Sequence, residues 1–349
     1  MLRLVQLSHA TEGRRVAVVE EPYLRVLANY TTVFHLAQAA VNSGRGLEEV
    51  VRANRSPQTL GYDAVYELLS PWKLMAPFDH PEEAGRCLVS GTGLTHKASA
   101  ENRQAMHAAA KALPGAQAPA HAAEPKPEVL TDSMKMYRIG LEGGRPEGAK
   151  IGAAPEWFYK GCGTILRAHG EPLDVPNYGD DGGEEAEIAG AYLIGPERTP
   201  YRVGLVQGNE FSDHVMESRN YLYLAPSKLR QCALGPELVI GAEFSDVPGA
   251  VRIERGENVL WEAALASGER AMSHSLANLE HHHFKYDAHR RPGDAHLHFF
   301  GADHFSFRER LRLEDGDVMV VGFRNFGRPL RNPLRIDRTP QAVVRVQPL

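Results

Sequence analysis

Glu185 and Glu187 stand two positions apart in GGEEAEIAGAYLIG, and Glu210 follows on the next apolar run in GLVQGNEFSDH. Side chains at i and i+2 of a strand point to one face. Two carboxylates side by side repel each other and resist burial unless a cation or a proton neutralises them. A third carboxylate arriving from a neighbouring strand completes an oxygen cage. That is the ligand set of a hard divalent cation such as Mg2+ or Mn2+. Taken alone, a Glu-x-Glu pair is more often a solvated strand edge. Glu184 adjoins the pair and is the weaker alternative, because its side chain faces away once the strand has begun.

The bulk numbers narrow the setting. The chain has 349 residues, 43% hydrophobic and 24% charged, which describes an ordinary soluble globular protein with room for one large domain and a smaller one. A net charge of −5 gives no electrostatic case for nucleic acid or an anionic membrane. No apolar run reaches the roughly 18 residues of a membrane-spanning helix. The start, MLRLVQLSHATEGRRVAVVEE, reads as strand, turn, strand rather than as a secretion signal. Cys87, Cys162 and Cys232 are odd in number and far apart, which points to reduced thiols and a cytoplasmic setting.

Stepping along the chain, residues 1–25 alternate in the strand period, while 32–53 and 60–69 carry apolar residues at helical spacing, broken near Gly44 and Gly46. Residues 1–73 are therefore expected to form a small α+β domain, and 74–349 the main body. CLVSG reads as a strand, and 98–113 as a helix by alanine content. The Pro/Ala-rich stretch 114–127 reads as a flexible loop, long enough to carry or precede a lid. From residue 155 short β-type runs dominate: AYLIG, YRVGLVQG, LVIGAEF, AVRIERG, AHLHFF and DVMVVGF. No internal repeat is visible.

Several separated motifs then line up in order. APFDHPEEAGRCLVSGTGLTHKASAE, PEWFYKGC, EAEIAGAYLIG, GNEFSDH, SKLRQCALGPELV, RRPGDAHLHFFGADH and LEDGDVMVVGFRNFGRPLRNPL together resemble the fumarylacetoacetate hydrolase superfamily over about residues 75–335. GTGLTH, NLEHHHFKY and HFFGA are similar to a subgroup near bacterial sugar-acid genes, whose relatives include 2-keto-3-deoxy-pentonate dehydratases. The resemblance implies an α+β fold with a mixed β-roll catalytic domain that forms a homodimer and holds a cation at one mouth of the roll. It makes Glu185, Glu187 and Glu210 the metal ligands, with Glu210 standing where the family usually has aspartate. Lys228 in APSKLRQ occupies the place of a substrate-facing lysine, and Lys160 in PEWFYKG that of the phenylalanine–lysine loop. A surface lysine explains either one as well.

The same resemblance pairs His96 with Glu101 as a base dyad, in which the carboxylate orients the imidazole. The usual spacing is H-x-x-E; here it is H-x-x-x-x-E. On a helix the wider spacing turns Glu101 about 140° away from His96, at about 100° per residue. The family's substrate-contacting threonine reads FFGAD here, so its role falls to the backbone near Gly301 and Ala302. Ser133 and Lys135, after the Pro/Ala-rich stretch, are candidates for a lid over the substrate. A 2-oxo acid would chelate the cation, which polarises its ketone and acidifies C3–H. A degraded water-activating dyad favours β-elimination over hydrolysis. The expected activity is thus a hydro-lyase reaction, dehydration of a 2-keto-3-deoxy-pentonate to a 2,5-dioxo acid. Hydrolytic C–C cleavage of an acylpyruvate is the alternative, and a catalytically silent sugar-acid binding protein is another.

Histidines crowd one region: His281, His282, His283, His289, His296, His298 and His304. His296 and His298 share a strand face, and an HxH with a further histidine is also how cupin barrels ligate transition metals. That pattern wants a glutamate shortly afterwards, and none follows until Glu309. Packing in a dimer interface or along a substrate pocket accounts for them more simply.

Overall fold

The computed structural model describes residues 1–111 and 130–349, so the 114–127 segment lies outside the described residues. The chain opens with β1 (Leu2–His9), β2 (Gly13–Glu20) and β3 (Tyr23–Leu27), then α1 (Val33–Ser43), α2 (Leu47–Ala53), β4 (Arg55–Gly61), α3 (Tyr62–Tyr66) and β5 (Lys73–Met75). β6 (Cys87–Gly93) leads into α4 (Lys97–Lys111). Next come α5 (Asp132–Gly143), β7 (Glu156–Cys162), β8 (Leu166–Arg167), β9 (Leu173–Val175), β10 (Ala186–Ile194) and β11 (Pro200–Asn209). Two short helices follow, α6 (His214–Arg219) and α7 (Leu224–Lys228), before β12 (Cys232–Ile240), β13 (Val247–Arg255) and β14 (Asn258–Ser267). The chain finishes with α8 (Leu276–Phe284), β15 (Ala295–Phe299), β16 (Val318–Phe323) and β17 (Leu330–Ile336).

The strands build a mixed α+β fold with two sheets. The larger runs β4-β3-β2-β1-β12-β11-β10-β15-β6-β7, with β5 on β1 and β8 on β12; the smaller runs β14-β13-β16-β17-β9. β15 and β6 are parallel, while β10 is antiparallel to both of its neighbours. Alternation explains why the centre is buried on both faces. Ala189, Ala191 and Leu193 of β10 join one core with Val33, Phe34 and Leu36 of α1. Ile188, Tyr192 and Ile194 join another with Val251, Ile253, Met319 and Val321 of the smaller sheet. α1 ends at Gly44, at φ 65°, where the sequence reading places a break; at its start Thr32 caps the helix by accepting from His35 N.

The N-terminal strands are continuous with the rest, since Leu4 of β1 pairs with Leu238 of β12 and both lie in one core. The boundary at 73/74 therefore stands only as a proposal about folding units. The helical reading of 60–69 is corrected: residues up to Gly61 belong to β4, and the helix covers Tyr62–Tyr66 alone. Leu60 pairs with Leu24 across the ladder, and Leu68, at φ 60°, cannot continue a right-handed helix.

The topology brings chemistry to one end of the larger sheet. The start of β10, the end of β11, the ends of the parallel β15 and β6 and the start of β7 all meet there.

Candidate metal centre

Glu185 directly precedes β10, Glu187 is its second residue, and Glu210 directly follows β11. The ladder sets them side by side: Ala186 pairs with Asn209, and Glu210 N–H donates to Glu185 O at 2.8 Å. Asn209 Oδ1 fixes the turn by accepting from Glu185 N (3.2 Å) and Phe211 N (3.0 Å). The fully buried Phe211 takes φ 39°, a conformation disfavoured for a non-glycine residue that lets the chain swing Glu210 inward. One oxygen from each of Glu185, Glu187 and Glu210 lies within 4.8 Å of the others, and all three residues are buried. No other group of three possible metal-ligating side chains converges in this way among the described residues.

Two lysines from distant elements reach the same oxygens. Lys228 Nζ, at the end of α7, donates to Glu185 Oε1 (2.5 Å) and Glu210 Oε2 (2.6 Å). Lys160 Nζ, on β7, lies 2.6 Å from Glu210 Oε1 and also donates to Phe211 O. His214 Nε2 stands 3.1 Å from Glu185 Oε1, and Ser212 Oγ donates to Glu210 Oε2. Glu187 is served differently, accepting only the backbone N–H of Gly301 at 2.7 Å. Ala302, next to it, is buried.

These partners set the protonation states. Burial would raise the Glu185 carboxyl, but Lys228 and His214 outweigh it and hold it well below the usual range. Glu187 goes well above, through burial and the adjacent charges of Glu210 and Glu185. Burial also raises Glu210, against the pull of Lys160 and Lys228. Burial opposes charge on His214, yet Glu185 lifts it to about 9. Lys228 is likewise raised by Glu185 and Glu210 against burial.

The donor set suits a hard cation. The oxygens are carboxylates, they are buried, and burial together with the charges of Glu210 and Glu185 makes the proton on Glu187 hard to lose without a cation. One oxygen from each glutamate within 4.8 Å of the others leaves a gathering small enough for one ion with bonds of about 2.0–2.1 Å to draw the three together. Glu184 is not part of the set, because it accepts from Ser306 N and Ser306 Oγ instead.

The remaining predicted residues fall in different places. His96 follows β6 and is 1% exposed. Glu101 does not meet it, as the spacing indicated: its side chain turns outward to Lys97, one helical turn back. The His96–Glu101 dyad is thereby corrected. Ser133 is buried in the first turn of α5, while Lys135 is exposed and pairs with Asp132. Of the histidine-rich segment, His282, His283, His296 and His298 are buried, while His281 is exposed. His298 bonds Ser90 Oγ and Thr92 Oγ1, and His283 Nε2 meets His296 Nδ1 at 3.0 Å.

Sequence reasoning missed a cationic wall. Arg103 of α4 is forked between Glu156 Oε1 (2.7 Å) and Glu217 Oε1 (2.6 Å). With Ser99, Glu185, His214, Glu217 and Phe305 it lines a small cleft beside the carboxylates. His214 closes the GNEFSDH segment already singled out, so a signal existed. Arg103 carried none, because its partners lie 53 and 114 residues away in sequence. A larger cleft of about 600 Å3, between Lys73–Ala76 and Ala168–Pro172, shares no residue with this centre.

No family model matches the sequence, and no curated protein matches it. Solved structures do. A 2-keto-3-deoxy-D-arabinonate dehydratase complexed with magnesium and 2,5-dioxopentanoate superposes with a TM-score of 0.67, covering 97% of this chain and 100% of its own at 17% identity. The fold is that of the fumarylacetoacetate hydrolase type. A 2-hydroxyhepta-2,4-diene-1,7-dioate isomerase from Mycobacterium marinum shares this fold at a TM-score of 0.58 and 15% identity, with 97% of this chain and 100% of that one covered. So does a 5-carboxymethyl-2-hydroxymuconate delta-isomerase from Mycobacterium smegmatis, at 0.54 and 16%, with 96% and 100% covered. No described helix is long and apolar enough to cross a membrane.

Proposed function

We propose that the protein is a Mg2+- or Mn2+-dependent lyase that dehydrates a 2-keto-3-deoxy sugar acid, of the pentonate and arabinonate type, to a 2,5-dioxo acid. The observation that carries this reading is the convergence of Glu185, Glu187 and Glu210 on one point with Lys228 and Lys160 against them. The three glutamates would hold the cation, which when bound supplies Lewis acidity to a chelating 2-oxo acid. The likeness to a dehydratase complexed with magnesium and 2,5-dioxopentanoate supports the choice of substrate class. The homodimer and the cytoplasmic setting remain expectations of the resemblance and of the cysteine usage.

In this reading removal of a C3 proton and loss of the C4 hydroxyl as water give a 3,4-unsaturated 2-oxo acid; loss of a C5 proton then forms a dienol, and protonation at C4 and C3 leaves the C5 hydroxyl as the second carbonyl and restores the 2-oxo group. Lys228 and Lys160 supply fixed positive charge beside the oxygens on which negative charge grows. Burial keeps these ammonium groups from being screened by water. His96 is the base, and Ser133, Gly301 and Ala302 border the substrate. A water-activating dyad is what hydrolysis would need, and Glu101 is not there to complete one.

A panel of 2-oxo acids followed by mass spectrometry tests the proposal. A 2-keto-3-deoxy-pentonate should lose one water to give a single product, in Mg2+ and not in chelator. Two organic fragments would assign hydrolysis instead. Glu187→Gln should abolish turnover with the fold intact by circular dichroism.

A further inference from the structure

An elimination base must offer a lone pair, so its tautomer matters as much as its position. His96 Nδ1 lies 2.9 Å from Thr95 Oγ1, and that hydroxyl lies 2.8 Å from the carbonyl oxygen of Phe300. A carbonyl only accepts, a hydroxyl has one proton to give, and an imidazole nitrogen takes either role. One arrangement satisfies all three groups: His96 Nδ1–H donates to Thr95 Oγ1, and Thr95 O–H donates to Phe300 O. The ring proton then sits on Nδ1, and Nε2 is left with its lone pair. Nε2 is buried and has no hydrogen-bond partner. In the opposite tautomer a buried N–H would go without an acceptor, and the Phe300 carbonyl would lose its donor.

We propose that Thr95 is a positioning residue that locks His96 in the Nδ1–H tautomer and so keeps Nε2 ready to accept a proton. Thr95 thereby takes the place left empty by Glu101. The lock is built into the fold. Thr95 is fully buried, and its own carbonyl accepts from Ser273 N at 2.7 Å. Gly301, at φ +103°, packs against the hydroxyl, where an added Cβ would come within 2.0 Å of Thr95 Oγ1. The same Gly301 donates its N–H to Glu187. Successive backbone groups, Phe300 C=O and Gly301 N–H, therefore anchor the base on one side and a candidate metal ligand on the other. Asp303 and His304 are the charged and titratable groups facing His96. Burial lowers the imidazole to about 4, with Asp303 pulling up and His304 pulling down, so the ring is neutral at pH 7.

The role as base rests on the proposed elimination; the tautomer does not. Histidine-labelled, full-length protein can be read by multiple-bond proton–nitrogen NMR, with the His96 signals assigned by their loss in His96→Asn. The wild type should show a protonated Nδ1 and a bare, pyridine-type Nε2. Thr95→Ser should keep that pattern. Thr95→Val removes the acceptor, and the ring should revert to the Nε2–H form that imidazole prefers in water. A wild-type Nε2–H signal, or a Val variant with the wild-type pattern, overturns the proposal. If the Val variant does not fold, the wild-type and Ser spectra decide it. Turnover of the 2-oxo acid should fall about 10²-fold in Thr95→Val and return in Thr95→Ser. An inactive wild type would count against the proposed function, while the tautomer readout would still decide the lock.

Discussion

Glu187 is the residue on which the candidate centre turns. Glu185 and Glu210 are answered by Lys228, Lys160 and His214, whereas Glu187 has one backbone N–H. Its carboxyl is held above the usual range by burial and by its two acidic neighbours, so without metal it retains its proton where an ordinary glutamate has lost it. A metal ligand must be a carboxylate, so binding has to expel that proton. Below the raised pKa, affinity for Mg2+ should therefore climb with pH, by about tenfold per unit for one proton released. Titration calorimetry in two buffers of different ionisation enthalpy would register the release, and Glu187→Gln should lose it. Binding that is indifferent to pH would contradict this protonation state. The three glutamates and both lysines were legible in the sequence, from spacing and motif order. Their pairing was not, because Lys160 and Lys228 lie 68 positions apart and meet only through the fold.

At the scale of elements, α4 is tied to the sheet through one guanidinium. Arg103 links Glu156 of β7 to Glu217 of α6, and all three side chains are largely buried. Replacing Arg103 with Met leaves two carboxylates without a counter-charge, which should cost about 3–5 kcal/mol of stability. Arg103→Lys should recover only part, because one ammonium cannot reproduce the planar fork that serves both partners. Denaturant midpoints would measure both, and a Met variant as stable as the wild type would remove this account of α4. Helix α1 was legible from its apolar spacing and the break at Gly44; Thr32, read as part of the helical stretch, instead caps its start. The 60–69 helix was misread because apolar spacing there serves β4 as well as α3, and pairing with β3 decides between them. The outward turn of Glu101 followed from helical angle alone, and its pairing with Lys97 obeys the same geometry.

Across the whole molecule, the larger sheet works as a collector. Its antiparallel β10 and β11 deliver the carboxylates, and the parallel pair β15 and β6 delivers Gly301 and His96 to the same end. Short β-type runs after residue 155 made the β-rich body readable. The join between β1 and β12 was not readable, because strand order across more than 200 residues leaves no local trace. The histidine segment shows the same limit. His296 and His298 do share a face as the strand period requires, yet they bond to Ser90, Thr92 and His283 rather than converging on a metal. The most direct test of the centre is an anomalous difference map from crystals soaked in Mn2+. The account predicts one strong peak among Glu185, Glu187 and Glu210. No peak there, or a peak among His283, His296 and His298, would contradict it.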